Sequence, residues 1–449
     1  MLLLVWAWPR LRANRSVAGA MATGLLVRLC WVIAIAGPQR GPMAEAGTTL
    51  ATARQIAAGS SPALAGHATA FFAPGFPTLV APLVAFADTA GWNPVLLVAL
   101  LNALIGTATI AGVAVLAGQW LGKRASVPAA WILALGPGPV FLTAVPHAAT
   151  LFCGLAVGVM VAATTVTRAR WSVTRRRIAW VMIGIGIGFA CLVSIAGLFL
   201  LAAPLLARRD APPADRSALG SILPVMAAVL LTVAPWTVRN GLATGIWTPF
   251  STGVAGTICI GQAAGSDGLA GVRSVEGHPD CYRSTFLRRG LSGRQLPPAS
   301  ATGPTDEAAW YRSTLAAAVR RPLTHPADAA QRTVRKLVSQ LSVDPSLTAV
   351  VDTSTDLPLT RRTIDALSNA AQGWNSAVVV LAALAVALSR RARRAPLLWG
   401  VGPITAMAVT IGAAATPIGT ASFVIATALA GSFVSAVGAR SEGADPESL

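Results

Sequence analysis

The sequence predicts an all-α protein that crosses a membrane many times, and both its composition and the pattern of its apolar segments indicate this. Of the 449 residues, 54% are hydrophobic and 12% are charged, and the mean hydropathy is +0.63. Soluble globular domains carry roughly 25% charged residues, so lipid must cover much of this surface. The apolar residues form segments of about 20 residues, the length that a helix needs to cross ~30 Å of hydrocarbon. These segments are rich in Ala, Leu, Val and Gly and lack a period of two, which excludes the strands of a membrane β-barrel.

The net charge of +18 is typical of nucleic-acid-binding proteins, but its distribution argues against such a partner. No basic patch is interleaved with aromatic residues that could stack on bases. The basic residues instead cluster at the ends of the apolar segments, as expected of cytoplasmic loops. These clusters are Arg10, Arg12 and Arg15; Lys123 and Arg124; residues 168–177; Arg208, Arg209 and Arg216; and residues 390–394.

About ten spans place all of these clusters on one side, with both termini in the cytoplasm. The predicted spans are 17–36, 93–118, 126–142, 148–167, a hairpin of two helices within 178–207, then 218–237, 376–389, 396–416 and 419–438. The first of them could instead be a cleaved signal peptide, but Arg28 within it and the lack of a clear cleavage site argue against that. Residues 74–90 are predicted to be an interfacial or re-entrant helix, since a full span there would place Lys123 and Arg124 outside.

The spans divide the chain into a transmembrane module over 1–238, with an outer loop at 37–92, and C-terminal transmembrane helices over 376–440. Between them, residues 239–375 are predicted to form a small soluble extension on the outer face, since the segment holds ten of the 17 acidic residues. Within it, 306–320 and 326–341 are predicted to be amphipathic helices separated by a break at Pro322 and Pro326. The polar tail, 441–449, is predicted to be disordered.

The five cysteines fall into two groups. Cys30, Cys153 and Cys191 lie in apolar segments, where a cysteine acts as a small hydrophobic residue. Cys259 and Cys281 are the two in the outer extension, and we expect a disulfide between them because that compartment permits oxidation. No His/Cys cluster has the spacing of metal ligands, so no metal site is predicted.

Three charged residues are candidates for function because they lie in or beside the membrane. Glu45 is the one acidic residue of 37–73; the alternative interpretation is an acid favoured by a helix N-terminus. Arg239, followed by Asn240, ends a span at the outer surface, and the planar fork of an arginine suits a phosphate. Arg28 lies within a span, where it must face protein, water or a lipid phosphate; pairing within the bundle is favoured over catalysis.

Several segments resemble, in chain order, the GT-C glycosyltransferases, which include the protein O-mannosyltransferases and the lipid A aminoarabinose transferases. These segments are Glu45 with the spacing Ala53…Gly59, APGFPTLVAPL, LLNALIG, APWTVRN followed by STG, and the two helices of 306–337. The resemblance covers most of 17–340 and implies a GT-C-like bundle in a bacterial plasma membrane. It implies transfer of a sugar from a polyprenyl-phosphate donor to an acceptor hydroxyl on the outer face, with no cofactor. Glu45 would be the general base, and Arg239 with Asn240 would hold the lipid phosphate.

The sequence departs from the family pattern at three places. PHAATLF, with His147, replaces a turn that carries a second acid; His147 could serve as base or ligand, although a histidine at a helix end is more often a cap. LVSIAG has Ser194 where the family has an arginine, and ATPIGTASF lacks an arginine–aromatic pair. These losses keep open a non-catalytic protein of the same fold that binds a polyprenyl lipid or a partner membrane protein. A secondary transporter is disfavoured, since no inverted repeat is visible.

Overall fold

The computed structural model describes most of the chain, and all statements below concern that part. The described residues are 15–36, 44–64, 66–207, 219–263, 281, 306–342, 346–353, 358–389, 392 and 426–437. They form helices throughout, apart from one short antiparallel hairpin in which Ala63 pairs with Ala68 and Leu64 with His67. This confirms the all-α membrane architecture that the composition predicts.

The helices are numbered in chain order. They are α1 (Arg15–Ile35), α2 (Ala44–Ala57), α3 (Gly75–Ala90), α4 (Pro94–Trp120), α5 (Ser126–Leu135), α6 (Pro137–Phe141), α7 (Ala149–Arg168), α8 (Val173–Val193), α9 (Ala202–Ala207), α10 (Leu219–Thr244), α11 (Val254–Gln262), α12 (Glu307–Thr324), α13 (Pro326–Ser342), α14 (Ser346–Thr353), α15 (Arg361–Leu388) and α16 (Ala426–Val437). The strands of the hairpin are β1 (Ala63–Leu64) and β2 (His67–Ala68).

Six of the described helices are long and apolar enough to cross a membrane: α1, α4, α7, α8, α10 and α15. A seventh span is possible if Lys123–Leu135 and Pro137–Ala144 count together, since a bend of 55° separates them. The break follows from the sequence, because Pro137 disfavours helical backbone at Gly136, which is extended here. Of the remaining predicted spans, 396–416 lies outside the described residues, and 419–438 is described only as α16.

The predicted hairpin of 178–207 consists of one long helix and a short return. Helix α8 ends at Ser194, whose backbone is extended, and the chain continues as a 3-10 helix over Ile195–Leu201 and then as α9. Helices α8 and α10 run parallel, because Gly184 faces Val225 while Gly188 faces Thr232. A parallel pair requires the chain to return between them, and the short segment after α8 begins that return.

The centre of the bundle is α4, which packs against α1, α5 and α7. Asn93 caps it, since its side chain accepts hydrogen bonds from the backbone N–H groups of Val95 and Leu96, and Pro94 occupies the first turn. Helix α3 packs against α2, α4 and α8 and is shorter than the six spans. Its bounds match the segment 74–90, and its position at the membrane interface stays a prediction.

The extension contains the two predicted amphipathic helices, but with different ends. Asp306 caps α12 by accepting from Ala309 N at 2.6 Å, and the helix continues through Pro322 to Thr324, so the break lies at His325–Pro326 alone. Helix α14 packs against α2, α6 and α15. The predicted boundary at 375–376 falls inside α15, which begins at Arg361, and the tail 441–449 lies outside the described residues.

Candidate functional site

The end of α10 holds the loop that follows α2. Arg239 donates from Nε and Nη2 to Ser61 Oγ, at 2.9 and 2.6 Å, and from Nη2 to Pro62 O at 2.7 Å. Its Nη1 donates to Thr69 O and to Asn240 Oδ1. A guanidinium has five N–H donors, so these five bonds use its whole capacity. Arg239 therefore fastens both ends of the β1–β2 hairpin to α10.

Aromatic and amide side chains hold this arginine in place. The Cζ atom of Arg239 lies 4.9 Å from the ring centroid of Trp236, a cation–π contact. Asn240 is fully buried, and its Nδ2 donates to Thr248 O at 3.1 Å while its Oδ1 accepts from Arg239. Asn240 thus positions the guanidinium and holds the segment after α10 against the helix. The adjacent Arg and Asn of APWTVRN therefore both fix loops at the end of α10.

A buried carboxylate, Glu307, joins three distant segments at this place. Its side chain is only 5% exposed and accepts hydrogen bonds from Thr69 Oγ1 at 2.8 Å, from Ala70 N at 3.0 Å and from Thr252 Oγ1. Burial raises the pKa of the Glu307 carboxyl above its usual value, against the opposing effects of those three hydrogen bonds and of the positive charge of Arg239. Sequence reasoning did not single out Glu307, although it is the first acid of α12, directly after the cap Asp306.

Backbone contacts reinforce this junction, the place where residues 69–71, residues 252–253 and Glu307 meet. Thr252 N donates to Ala70 O at 2.9 Å, and Gly253 N donates to Phe71 O at 3.2 Å. A Cβ atom at Gly253 would lie 2.6 Å from Phe71 O, so only glycine permits this approach. Beneath these bonds, Phe71 packs on Trp310, with ring centroids 5.6 Å apart. The close packing of this junction therefore explains the Thr and Gly of the STG segment, 251–253, which the sequence pattern alone did not.

The two extension cysteines are joined in a disulfide, Cys259–Cys281, with Cα atoms 5.5 Å apart. Cys259 lies in α11, which begins at Val254 immediately after the junction and packs against α12. The bridge agrees with the pairing expected from the sequence. It ties the following part of the extension to the helix that supports Thr252 and Glu307.

Glu45 lies in the first turn of α2, and its side chain is outside the part that the structure describes. The far end of α2 is fixed: Arg54 forms an ion pair with Asp88 of α3 at 2.7 Å. Gln55 accepts from Ala63 N at 2.8 Å and donates to Ala63 O at 3.2 Å. Through Gln55, the helix that carries Glu45 is attached to the hairpin that Arg239 holds.

Two other predicted site residues have structural partners elsewhere. Nδ1 of His147 accepts from Ala149 N at 3.1 Å, which makes it a cap at the start of α7. Arg28 is 1% exposed, inside the bundle, and donates to Gly24 O, Ala134 O and Leu133 O at 2.9 to 3.4 Å. The last two carbonyls end α5 at its bend, so Arg28 stabilises the negative end of a broken helix. These contacts are those of a helix cap and of pairing within the bundle, and a role of either residue in substrate binding stays a prediction.

In the described residues, no three His, Cys, Asp or Glu side chains gather as a metal site would require. The junction offers the guanidinium of Arg239, whose Nε and Nη2 face an exposed hydroxyl, and the buried carboxylate of Glu307. A guanidinium can hold a phosphate through two parallel hydrogen bonds.

No protein-family model matches the sequence, and no curated protein matches it either. Solved structures do resemble it. Archaeal oligosaccharyltransferase AglB from Archaeoglobus fulgidus, in complex with an inhibitory peptide and a dolichol-phosphate, has a TM-score of 0.54 and 14% identity over 96% of this chain. The Archaeoglobus fulgidus oligosaccharyltransferase in complex with Zn and sulfate has a TM-score of 0.51 and 15% identity over 94% of this chain and 49% of its own. The chain has the GT-C fold.

The GT-C fold confirms the resemblance seen in the sequence, at identities that establish architecture alone. This chain spans 51% of the length of AglB. ArnT from Cupriavidus metallidurans, bound to undecaprenyl phosphate, also aligns over 95% of this chain and 79% of its own, with 15% identity and a TM-score of 0.42.

Proposed function

We propose that this GT-C protein transfers a sugar from a polyprenyl-phosphate donor to an acceptor hydroxyl on the outer face of the membrane. The observation that carries the proposal is the edge of Arg239 formed by Nε and Nη2. A single hydroxyl, Ser61 Oγ, bridges both groups at an exposed position. That edge is the fork with which an arginine binds two oxygens of a phosphate, so rotation of Ser61 opens a bidentate phosphate site.

The other guanidinium nitrogen keeps the arginine oriented while this edge acts. Nη1 stays bonded to Thr69 O and Asn240 Oδ1, on the side away from Ser61. The Glu307 carboxylate, held by Thr69 and Thr252, adds negative charge near the guanidinium. Arg239 can therefore exchange its bonds to Ser61 for a phosphate without losing its place on α10.

Glu45 is proposed as the general base. It takes the proton of the acceptor hydroxyl as the hydroxyl oxygen forms a bond to the anomeric carbon on the face opposite the phosphate. The bond from that carbon to the phosphate oxygen breaks, and its electron pair leaves with the polyprenyl phosphate, whose charge Arg239 offsets. One displacement inverts the anomeric centre.

The structural similarity to AglB supports a lipid-phosphate donor, because AglB was solved with a dolichol-phosphate bound. The basic clusters at one side of the predicted spans favour a bacterial plasma membrane location with both termini in the cytoplasm. In that orientation the junction of Arg239 and Glu307 lies on the outer face, where lipid-linked sugars are available after translocation.

The test is a transfer assay in reconstituted membranes with radiolabelled polyprenyl-phosphate sugars. It compares the wild type with Glu45→Gln and with the control Asp306→Asn, an exposed carboxylate-to-amide change at a helix cap that asparagine also fills. We expect label to reach an acceptor with the wild type and the control, and to fall by at least about 100-fold with Glu45→Gln. Equal transfer by Glu45→Gln removes Glu45 from the chemistry.

The second candidate is a non-catalytic GT-C protein that binds a polyprenyl lipid or a partner membrane protein. Two observations favour it: all five donors of Arg239 are satisfied by the protein itself, and His147 caps a helix where a second acid is expected. Binding of the lipid without transfer from any donor supports this candidate over the enzyme.

A further inference from the structure

Helix α13 buries two cations one turn apart. The exposed fractions are 5% for Arg332 and 1% for Lys336, whereas Arg335 between them is exposed. Residues four apart lie on one face of a helix, so both positive side chains point in the same direction. An arginine is rarely buried unless it is paired, so the partners of Arg332 decide what this place can do.

The buried arginine is incompletely paired. Within the described part of the chain, Nε and Nη2 of Arg332 are buried and have no hydrogen-bond partner. An unpaired buried N–H of a charged group is costly, and such a group in a native structure indicates a water, an ion or a ligand at that place. The unpaired Nε and Nη2 form the same two-donor edge that suits a phosphate or a carboxylate.

Neighbouring charges add to the positive character of this place. Arg321, on the last turn of α12, repels Arg332, and the acid that acts on Arg332 is Asp328, one turn earlier on α13 and exposed to solvent. Burial, and then the charge of Arg332, lower the pKa of Lys336 to about 8. The charges of Arg321 and Lys336 thus lie close enough to act on Arg332 or to be acted on by it, and an anion at Arg332 would offset both its burial and this repulsion.

We propose that Arg332, with Lys336 beside it, binds a phosphate group near the point where α12 and α13 meet. This place is separate from the Arg239 edge, because Arg321 lies fourteen residues beyond Glu307 on α12, about 21 Å along the helix. The phosphate could belong to a lipid headgroup or be free in solution. If the phosphate is that of a lipid, Arg332 would be a second contact for the polyprenyl phosphate of the transfer reaction. Only this identification of the lipid rests on the proposed function.

The test uses the full chain in nanodiscs of neutral phosphatidylcholine. Native mass spectrometry counts bound undecaprenyl phosphate, with undecaprenol as the neutral counterpart, and thermal unfolding with and without inorganic phosphate measures the free anion. The variants are Arg332→Gln and the control Arg335→Gln, which removes the same charge from the exposed side of the same helix. We expect Arg332→Gln to weaken phosphate binding about tenfold or more, and Arg335→Gln to leave it unchanged.

Binding of undecaprenyl phosphate that needs Arg332 identifies a lipid headgroup, whereas stabilisation by inorganic phosphate that needs Arg332 identifies a free anion. Identical binding of both probes by Arg332→Gln and Arg335→Gln overturns the proposal. If Arg332→Gln does not fold, Arg332→Lys keeps the charge without the fork and serves in its place. If the wild type binds phosphate through Arg332 but transfers no sugar, the proposed enzyme fails and this site stands. If sugar is transferred but Arg332→Gln binds phosphate as well as Arg335→Gln does, this site fails alone, so the two failures are distinguishable.

Discussion

Glu307 Oε2 accepts a hydrogen bond of 2.8 Å from Thr69 Oγ1 across 238 residues of sequence. The same carboxylate accepts from Thr252, 55 residues before it, so one side chain joins the first loop, the segment after α10 and the start of α12. Arg239 holds the first loop directly through Ser61, Pro62 and Thr69. Glu307 therefore adds a second attachment of the same loop, to the start of α12 and to the segment after α10.

We expect Glu307→Ala to destabilise the protein by at least about 2 kcal/mol, because it leaves the donors of Thr69, Ala70 and Thr252 buried without an acceptor. Glu307→Gln retains the shape and one carbonyl oxygen, so its effect should be much smaller. Thermal unfolding in detergent compares the two variants. Equal stability of Glu307→Ala and the wild type would mean that water replaces the carboxylate at no cost.

The stability of the wild type should also depend on pH through this residue. Burial raises the pKa of Glu307 above its unfolded value of 4.5. A raised carboxyl pKa means that the folded state binds the proton more tightly, so this contribution to stability is full below pH 4.5 and is lost as the pH rises through the folded pKa. Glu307→Gln cannot titrate and should lack this loss. The melting temperatures of both proteins, measured from pH 4 to pH 8, test this difference. The same dependence of melting temperature on pH in both proteins would contradict the prediction.

The disulfide gives a third prediction. Cys259 and Cys281 are separated by 22 residues. In the chain-entropy account, a disulfide that closes a loop of this size stabilises the folded protein by about 3 kcal/mol, and its removal loses that stabilisation. We therefore expect Cys259→Ser with Cys281→Ser, or reduction of the wild type, to lower the melting temperature. Cys30→Ser, which changes an exposed free cysteine, is the control for altered sulfur content. Alkylation of the unfolded but unreduced protein, followed by mass measurement, should modify three of the five cysteines and leave Cys259 and Cys281 unmodified.

The parts of the fold that were predictable from the sequence are those that depend on local patterns. Long apolar segments predicted the spans α1, α4 and α7, because a helix needs about 20 apolar residues to cross the hydrocarbon layer. Proline and glycine signals were less decisive. Pro322 lies inside α12, whereas Gly136 and Pro137 break a predicted span. A proline leaves the carbonyl four residues earlier without its helical hydrogen bond, so whether the helix breaks depends on the partner which that carbonyl finds in the folded protein.

Arg28 and Glu307 show why the site was harder to predict. The free carbonyls at the end of α5 find their partner in Arg28, 105 and 106 residues away, which no local pattern contains. Glu307 could be recognised as a first-turn acid, but its three donors come from segments that meet only in the folded chain. In contrast, Arg239 and Asn240 stood out because they end a predicted span on the side opposite to the basic clusters.

The last prediction concerns the edge of Arg239 that Ser61 occupies. Ser61→Ala removes the hydroxyl that bridges Nε and Nη2, so a phosphate no longer has to displace it. We expect KM for the polyprenyl-phosphate donor to stay equal or fall in Ser61→Ala, while Arg239→Lys, which has a point charge in place of the fork, should raise KM by about tenfold or more. Steady-state transfer kinetics measure both, and thermal unfolding reports whether the loop stays folded. A similar rise of KM in both variants would assign the Ser61 bonds to holding the loop, and Arg239 would then act on the donor only through the position of that loop.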